Sequence, residues 1–332
     1  MPQVSHQCAV LGCPIQHSLS PLLHTAAYRA LGLTGWLYSR QEVSSGGLSL
    51  FLSATDVSWA GLSLTMPLKQ EVFAYGQAQD YWSQRLGVAN TAIFDWSVER
   101  ATQSLHLYNT DVEGIVCAIS EGLTEGSQYG NPSRMHDSFK PVSLIEAASL
   151  GGRDKNDTDY MGVSDASAVV IGTGSTACSA LAALSVLGVR RVTIVAHHLE
   201  HAKQAVQLAQ QLSFARVELT DMENCLSALM QARIVVSAIP SGGADALAQR
   251  LESSGLRQTS SNCEQPVLLD VAYNRQASKL TQAWHNGRGG IAVGGERMLL
   301  YQAVRQLSLM TGLAIEQVPI GAMDTAMQGE IS

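Results

Sequence analysis

The chain has 332 residues, 46% of them hydrophobic and 15% charged, and carries a net charge of -7 at pH 7. That length and composition support a sizeable core and an expectation of two domains. The acidic balance argues against nucleic acid as a partner, which needs a basic face, and no apolar run reaches the ~18 residues of a membrane span.

Met1–Val10 lacks a basic segment followed by a long apolar core, so no signal peptide is expected. Six cysteines (Cys8, Cys13, Cys117, Cys178, Cys225 and Cys263) lie scattered without a C-x-x-C pair. They read as free thiols of a cytoplasmic protein, and no zinc site is expected.

Taken in order, Cys8–Leu11 is a short apolar strand ended by Gly12. Ser20 followed by Pro21 has the form of an N-cap and a first helical proline, and the helix should end at Gly32. Ser18 stands two residues earlier. Two hydroxyls beside helix N–H groups would suit a carboxylate or phosphate, while capping alone would also account for Ser20. Gln41–Ser58 reads as a connector with a short helix near Leu48–Ala54.

Gly61–Gln70 reads Gly-Leu-Ser-Leu-Thr-Met-Pro-Leu-Lys-Gln. Its period of two predicts a strand with one buried face, and Pro67 stops the ladder. Lys69 follows directly, where a partly desolvated ammonium can act as a proton donor or acceptor; a surface lysine opening a helix fits the same pattern. Gln70–Arg85 is expected to be helical. Gly87–Phe94 reads as a turn into a strand and Leu105–Tyr108 as another short strand, with Asn90 and Asp111 at their edges beside Thr91 and Thr110. Asp111 could cap a helix over Val112–Ser120. Glu121–Ser167, rich in Gly, Ser, Asp and Asn, reads as a surface insertion or linker with a helix near Val142–Leu150.

Ala168–Ile171 has the continuous apolar character of a buried parallel strand. It leads into Gly172-Thr173-Gly174-Ser175-Thr176-Ala177, a G-x-G-x-x-A turn, then a helix over Cys178–Leu187 and a second strand at Arg191–Ala196. Small residues let the backbone approach a pyrophosphate, and the helix N-terminus favours its charge. Gly172, Gly174, Ser175, Thr176 and Ala177 are therefore candidate dinucleotide contacts. No acidic residue closes the second strand, which continues Ala196-His197-His198-Leu199-Glu200-His201. His197, His198 and His201 could read a 2′-phosphate, which favours NADP. A metal on His197 and His201, or plain exposed histidines, are the competing readings.

Further helices are expected at Glu200–Leu212 and Leu226–Ala232, and strands at Val217–Leu219, Ile234–Ile239, Val267–Val271 and Ile291–Val293. The loop through Ile239 suits a nicotinamide ribose. A helix from Arg297 to Leu309 carries Gln302, and the tail after Pro319 reads as disordered.

With these motifs placed, the chain resembles the shikimate dehydrogenase family, most closely its actinobacterial forms. The resemblance rests on Ser18-Leu19-Ser20-Pro21, Leu64-Thr65-Met66-Pro67-Leu68-Lys69, Ala89-Asn90-Thr91, Asn109-Thr110-Asp111, Gly172–Ala177, and Gly295 to Gln302, in that order. It implies an α/β fold with a Rossmann-type NADP-binding domain (residues 168–289). A split α/β substrate domain (1–118 and 290–332), a variable insertion (119–167) and an active-site cleft between the domains complete the expectation.

The resemblance further implies Lys69 and Asp111 as the catalytic pair and Ser18, Ser20 and Tyr273 as carboxylate ligands. Thr65, Asn90 and Gln302 would bind ring hydroxyls or the carbonyl region, with Asp111 also touching a substrate hydroxyl. Gly295 and Met298 would contact the nicotinamide. The expected activity is reversible NADPH-dependent reduction of 3-dehydroshikimate to shikimate, by a cytoplasmic monomer or homodimer. An NAD-preferring quinate/shikimate dehydrogenase is the enzyme alternative. A non-catalytic metabolite binder would lack the lysine or the aspartate. Two departures from the family stand out: Ser63 where Asn is frequent, and Ala196-His197-His198 at the usual cofactor signature.

Overall fold

A computed structural model describes residues 4–96, 104–127, 140–149, 163–212, 214–254, 265–273 and 276–331. The chain divides into two compact units, Met1–Thr110 with Gln302–Ser332, and Asp111–Tyr301.

The first unit begins β1 (His6–Gly12), α1 (Ser20–Ala30), β2 (Trp36–Glu42), α2 (Leu48–Ser53), β3 (Trp59–Leu64) and α3 (Leu68–Glu71). It continues β4 (Gly76–Ala78), α4 (Tyr81–Leu86), β5 (Thr91–Asp95) and β6 (Ser104–Tyr108). These strands form one sheet in the order β2-β1-β3-β5-β6-β4. β1 runs parallel to β2 and β3, β5 is antiparallel to β3 and β6, and β4 is parallel to β6. Leu11, Leu62, Leu64, Leu68, Leu105 and Leu107 fill one core against it.

The second unit holds α5 (Asp111–Ser127), α6 (Pro141–Ser149), β7 (Ser167–Ile171), α7 (Ser175–Val186), β8 (Arg191–Ala196), α8 (Lys203–Gln211) and β9 (Arg216–Asp221). After these come α9 (Leu226–Gln231), β10 (Ile234–Ser237), α10 (Asp245–Ser253), β11 (Val267–Asp270), α11 (Lys279–Ala283) and β12 (Ile291–Gly294). The strands are all parallel, in the order β12-β11-β10-β7-β8-β9. Chain direction across the sheet reverses between β7 and β10, the place where an open α/β sheet binds its ligand. α12 (Gly295–Thr311) starts in this unit and, from Gln302, belongs to the first, as does α13 (Ile320–Ile331).

Several expectations need correction. Gly61–Leu64 is buried throughout, not on one face, because β3 lies inside the sheet and α12 covers its second side. A Cβ on Gly61 would sit 2.7 Å from Cγ of Met310. Gln70–Arg85 is not one helix. Gly76 pairs with β6, where a Cβ would come 2.5 Å from the Leu105 carbonyl oxygen, and Asp80 starts α4 anew by accepting the Ser83 N–H at 2.9 Å. α5 runs past Ser120 to Ser127, so the segment expected to open a linker is helical. Its Gly122 packs where a Cβ would meet Val293 and Val267 at 2.7 and 2.9 Å. Residues 128–139 and 150–162 of the expected insertion, and Cys263, lie outside the described residues.

The tail after Pro319 forms α13, because Met323 and Met327, one turn apart, are buried and the helix packs on α1. β2 was not expected, and only its last two residues, Gln41 and Glu42, fall in the expected connector; most of its residues are exposed or half-buried, which removes the apolar signal.

Candidate active site

In the first unit, the ends of β1 and β3 meet. Gly12 closes β1, and a Cβ there would fall 2.3 Å from Cγ2 of Thr65. The Thr65 N–H donates to the Leu11 carbonyl at 2.9 Å. Only glycine permits this approach, which sets Thr65 beside the loop leading to Ser18.

Ser20 does not cap α1, contrary to expectation. It is the first helical residue, and Leu19, in the cap position, makes no side-chain cap bond. Instead Ser18 Oγ accepts the Ser20 N–H and donates to Ser20 Oγ, both at 3.3 Å. Arg40 on β2 fixes the loop by donating from Nε to the Ser18 carbonyl at 2.8 Å. A buried hydroxyl pair at the N-terminus of an 11-residue helix with no acidic side chain in its first turn favours an anion.

Lys69 is the second residue of α3 and half-buried. Its backbone carbonyl accepts the Ala89 N–H at 2.9 Å, and the Leu68 N–H donates to the Thr65 carbonyl at 2.8 Å. Thr65 and Lys69 thus flank one turn, locked to the segment just before β5 where Asn90 stands. Asn90 is buried: its carbonyl accepts the Leu64 N–H at 2.7 Å and its N–H donates to the Tyr108 carbonyl at 3.1 Å. Asn90 Nδ2 donates to Gln302 Oε1 at 3.2 Å and to Thr110 Oγ1 at 2.9 Å. Ser18, Ser20, Thr65, Lys69, Asn90 and Gln302 all belong to this unit.

Ser63, where the family frequently has Asn, is buried within the fold. Its hydroxyl accepts from Tyr38 at 2.6 Å and donates to Gln306 Oε1 at 2.8 Å.

Asp111, Tyr273 and the expected cofactor residues belong to the second unit. Asp111 is buried and opens α5, where a carboxylate is favoured by the helix N-terminus. Gly172 follows β7 with φ +118°, and a Cβ there would lie 2.9 Å from the Ala238 carbonyl oxygen and 3.1 Å from Ile239. The loop through Ile239 therefore closes on the glycine turn at the sheet's switch point. Gly174 opens onto space where a Cβ would meet nothing, and no side chain caps the helix that begins at Ser175 and continues through Thr176 and Ala177. Open backbone before an uncapped helix N-terminus fits a pyrophosphate.

His197, His198 and His201 are exposed just past β8. The rings of His197 and His198 lie 4.6 Å apart, and those of His198 and His201 5.5 Å apart. Glu200 stands 3.9 Å from His198 Nδ1. Gly295 opens α12 where a Cβ would strike the Val271 carbonyl oxygen at 2.2 Å, so β11 and α12 can meet only at glycine. Met298 is buried one turn along, and Tyr273 follows β11 half-buried. At the end of β11, burial raises the Asp270 carboxyl above the usual carboxylate range, and Asp270 accepts the Ser278 hydroxyl at 2.6 Å.

Sequence reading missed Arg40, Tyr38, Thr110 and Gln306, whose roles come from partners distant in the chain. It also missed Arg297, which grips Glu121 with Nε at 2.8 Å and Nη2 at 2.7 Å inside the second unit.

The sequence matches two family models, the shikimate dehydrogenase substrate binding domain over residues 10–92 and shikimate / quinate 5-dehydrogenase over 155–286. A shikimate 5-dehydrogenase from Mycobacterium fortuitum is 33% identical and superposes with a TM-score of 0.69, covering 98% of this chain and 99% of that one. A shikimate dehydrogenase (NADP(+)) from Methanothermobacter thermautotrophicus is 25% identical over 98% of this chain and 96% of its own length. The pentafunctional AROM polypeptide of Malassezia globosa is 29% identical over 92% of this chain, which spans 16% of that much longer protein. Sequence and fold agree along nearly the whole length, and the chain belongs to the shikimate dehydrogenase family.

Proposed function

We propose that the protein catalyses the reversible NADP-dependent interconversion of 3-dehydroshikimate and shikimate, a step toward aromatic amino acids. The observation that carries this reading is the pairing, within one unit, of an anion-suited serine pair with a buried amide network next to Lys69. A polyhydroxylated ring carboxylate asks for both features.

Reduction of the ketone needs a hydride, a proton and a fixed ring. NADPH supplies the hydride when bound. Lys69, as ammonium, stabilises the developing alkoxide and protonates it; in the oxidative direction the neutral amine takes the hydroxyl proton. Asp111 is assigned the second catalytic role and a substrate hydroxyl. Ser18, Ser20 and Tyr273 hold the carboxylate, and Thr65, Asn90 and Gln302 discriminate the ring oxygens. Gly172, Gly174, Ser175, Thr176 and Ala177 suit the pyrophosphate, His197, His198 and His201 the 2′-phosphate, and Ile239, Gly295 and Met298 the nicotinamide end. The enzyme is placed in the cytoplasm, as a monomer or homodimer; the free thiols of Cys8, Cys13, Cys117, Cys178 and Cys225 support that compartment.

Glu200 beside His198 favours a second reading, since an acidic group past the second strand suits the ribose hydroxyls of NAD. That reading is an NAD-preferring quinate/shikimate dehydrogenase. Steady-state rates with NAD or NADP, each with quinate or shikimate, test one against the other.

A further inference from the structure

The hydrogen bonds around Asn90 have a direction that can be worked out from one donor. The Thr110 backbone N–H can only donate, and it meets Asn90 Oδ1 at 2.8 Å. That fixes the oxygen end of the Asn90 carboxamide. Thr91 Oγ1 donates to the same oxygen at 3.0 Å. Nδ2 therefore lies at the other end, and it donates to Thr110 Oγ1 and Gln302 Oε1. Gln302 is held with its oxygen toward Asn90, so its N–H donors sit on the other branch of the carboxamide.

Gln306 holds this arrangement from behind. A carbonyl can only accept, and Gln306 Nε2 donates to the Asn90 carbonyl at 3.3 Å and to Thr91 Oγ1 at 3.0 Å. Its Oε1 must then accept from Ser63, and Ser63, having given its one proton, accepts from Tyr38. The relay runs Tyr38 to Ser63 to Gln306 to Asn90 and Thr91, and every member is buried. The Tyr38 ring stacks on His24 at 4.0 Å, and burial holds the His24 imidazole neutral.

We propose that Gln306 is a positioning residue for substrate recognition: it fixes the polarity of the Asn90 carboxamide and so sets Gln302 to offer an N–H donor to a hydroxyl or carbonyl oxygen of a hydroxylated ring carboxylate. This rests on the shikimate reading above. Asn90 passes this setting on through its Nδ2 bond to Gln302. Gln306 reaches substrate only through these two.

The test compares Gln306→Leu, Gln306→Glu and Ser63→Ala with wild type, following shikimate oxidation at saturating NADP. Leucine keeps the volume and removes both ends of the amide. The shikimate KM should rise about tenfold, as expected for a displaced buried hydrogen-bond network, while the NADP KM stays within about twofold. Glutamate restores the donor only when protonated. Its shikimate KM should approach wild type at low pH and climb as the carboxyl ionises, a step absent from wild type. Ser63→Ala should give a smaller rise in the same constant. If the leucine variant does not fold, the glutamate pH profile and Ser63→Ala decide. Wild-type turnover with an unchanged shikimate KM in the variants, or a pH profile in Gln306→Glu matching wild type, overturns the relay alone. A wild type that neither turns over nor binds shikimate overturns the functional reading and the relay with it.

Discussion

The backbone carbonyl of Lys69 accepts the N–H of Ala89 at 2.9 Å, and Ala89 precedes Asn90. The lysine is therefore tied by its main chain to the residue next to the amide network, and the proposed mechanism gives its side chain the proton transfer. Lys69→Ala should lower kcat by roughly 10²–10⁴, the usual worth of a positioned acid or base, with a much smaller change in shikimate KM. Lys69→Arg should not restore it, because a guanidinium does not release its proton near neutral pH. Steady-state kinetics in both directions check this, and an alanine variant with wild-type kcat would remove Lys69 from the mechanism.

The serine pair predicts a different signature. Ser18→Ala and Ser20→Ala should each raise the shikimate KM, by about tenfold for loss of a charge-assisted hydrogen bond, and leave kcat nearly unchanged. The loss should shrink with the methyl ester of shikimate, which lacks the carboxylate charge. Equal losses on acid and ester would mean the pair does not read that charge.

At the cofactor turn, Gly172 has φ +118° and faces the Ala238 carbonyl oxygen. Gly172→Ala meets both backbone strain and a steric clash, so it should cost about 1–3 kcal/mol of stability and weaken NADPH binding. Denaturant unfolding and NADPH fluorescence titration measure the two effects separately.

The histidines past β8 predict a selective loss. Replacing His197, His198 and His201 by alanine should weaken NADPH binding by about tenfold and leave NADH binding nearly unchanged, because only NADPH carries the 2′-phosphate. Fluorescence titration with each cofactor measures both. Equal losses for the two cofactors, or none for NADPH, would show that these rings do not read the 2′-phosphate.

Burial holds the His24 imidazole at about 3, against an ordinary 6.5. Between those values the unfolded chain binds a proton that the folded chain refuses. Stability is therefore unaffected by this group above pH 6.5 and falls as pH drops from 6.5 toward 3, by up to about 1.4 kcal/mol per pH unit. His24→Phe, which can keep the stack on Tyr38, should flatten the unfolding free energy across that window.

The second unit was the more legible half in sequence. Ala168–Ile171 is apolar without interruption because both faces of its parallel sheet are buried, and the small residues from Gly172 to Ala177 mark where backbone must stay open. Ser18, Ser20, Lys69 and Asn90 could be picked out because each stands at an element boundary. The Ser63–Gln306 bond could not, since its partners are 243 residues apart and neither has a local pattern that names the other. α13 was hidden for a related reason: its small residues and short apolar spacing become a helix only when Met323 and Met327 find α1. Gly76 and Gly122 lie inside segments without a local signal of their own, and at both another strand leaves no space for a Cβ.

The central claim is NADP-dependent oxidation of shikimate, and its most direct test is kcat/KM for shikimate and quinate with NADP and NAD, measured side by side. The account predicts that shikimate with NADP is the best pair. Turnover of quinate with NAD as the best pair, or no turnover of shikimate with either cofactor, would contradict it.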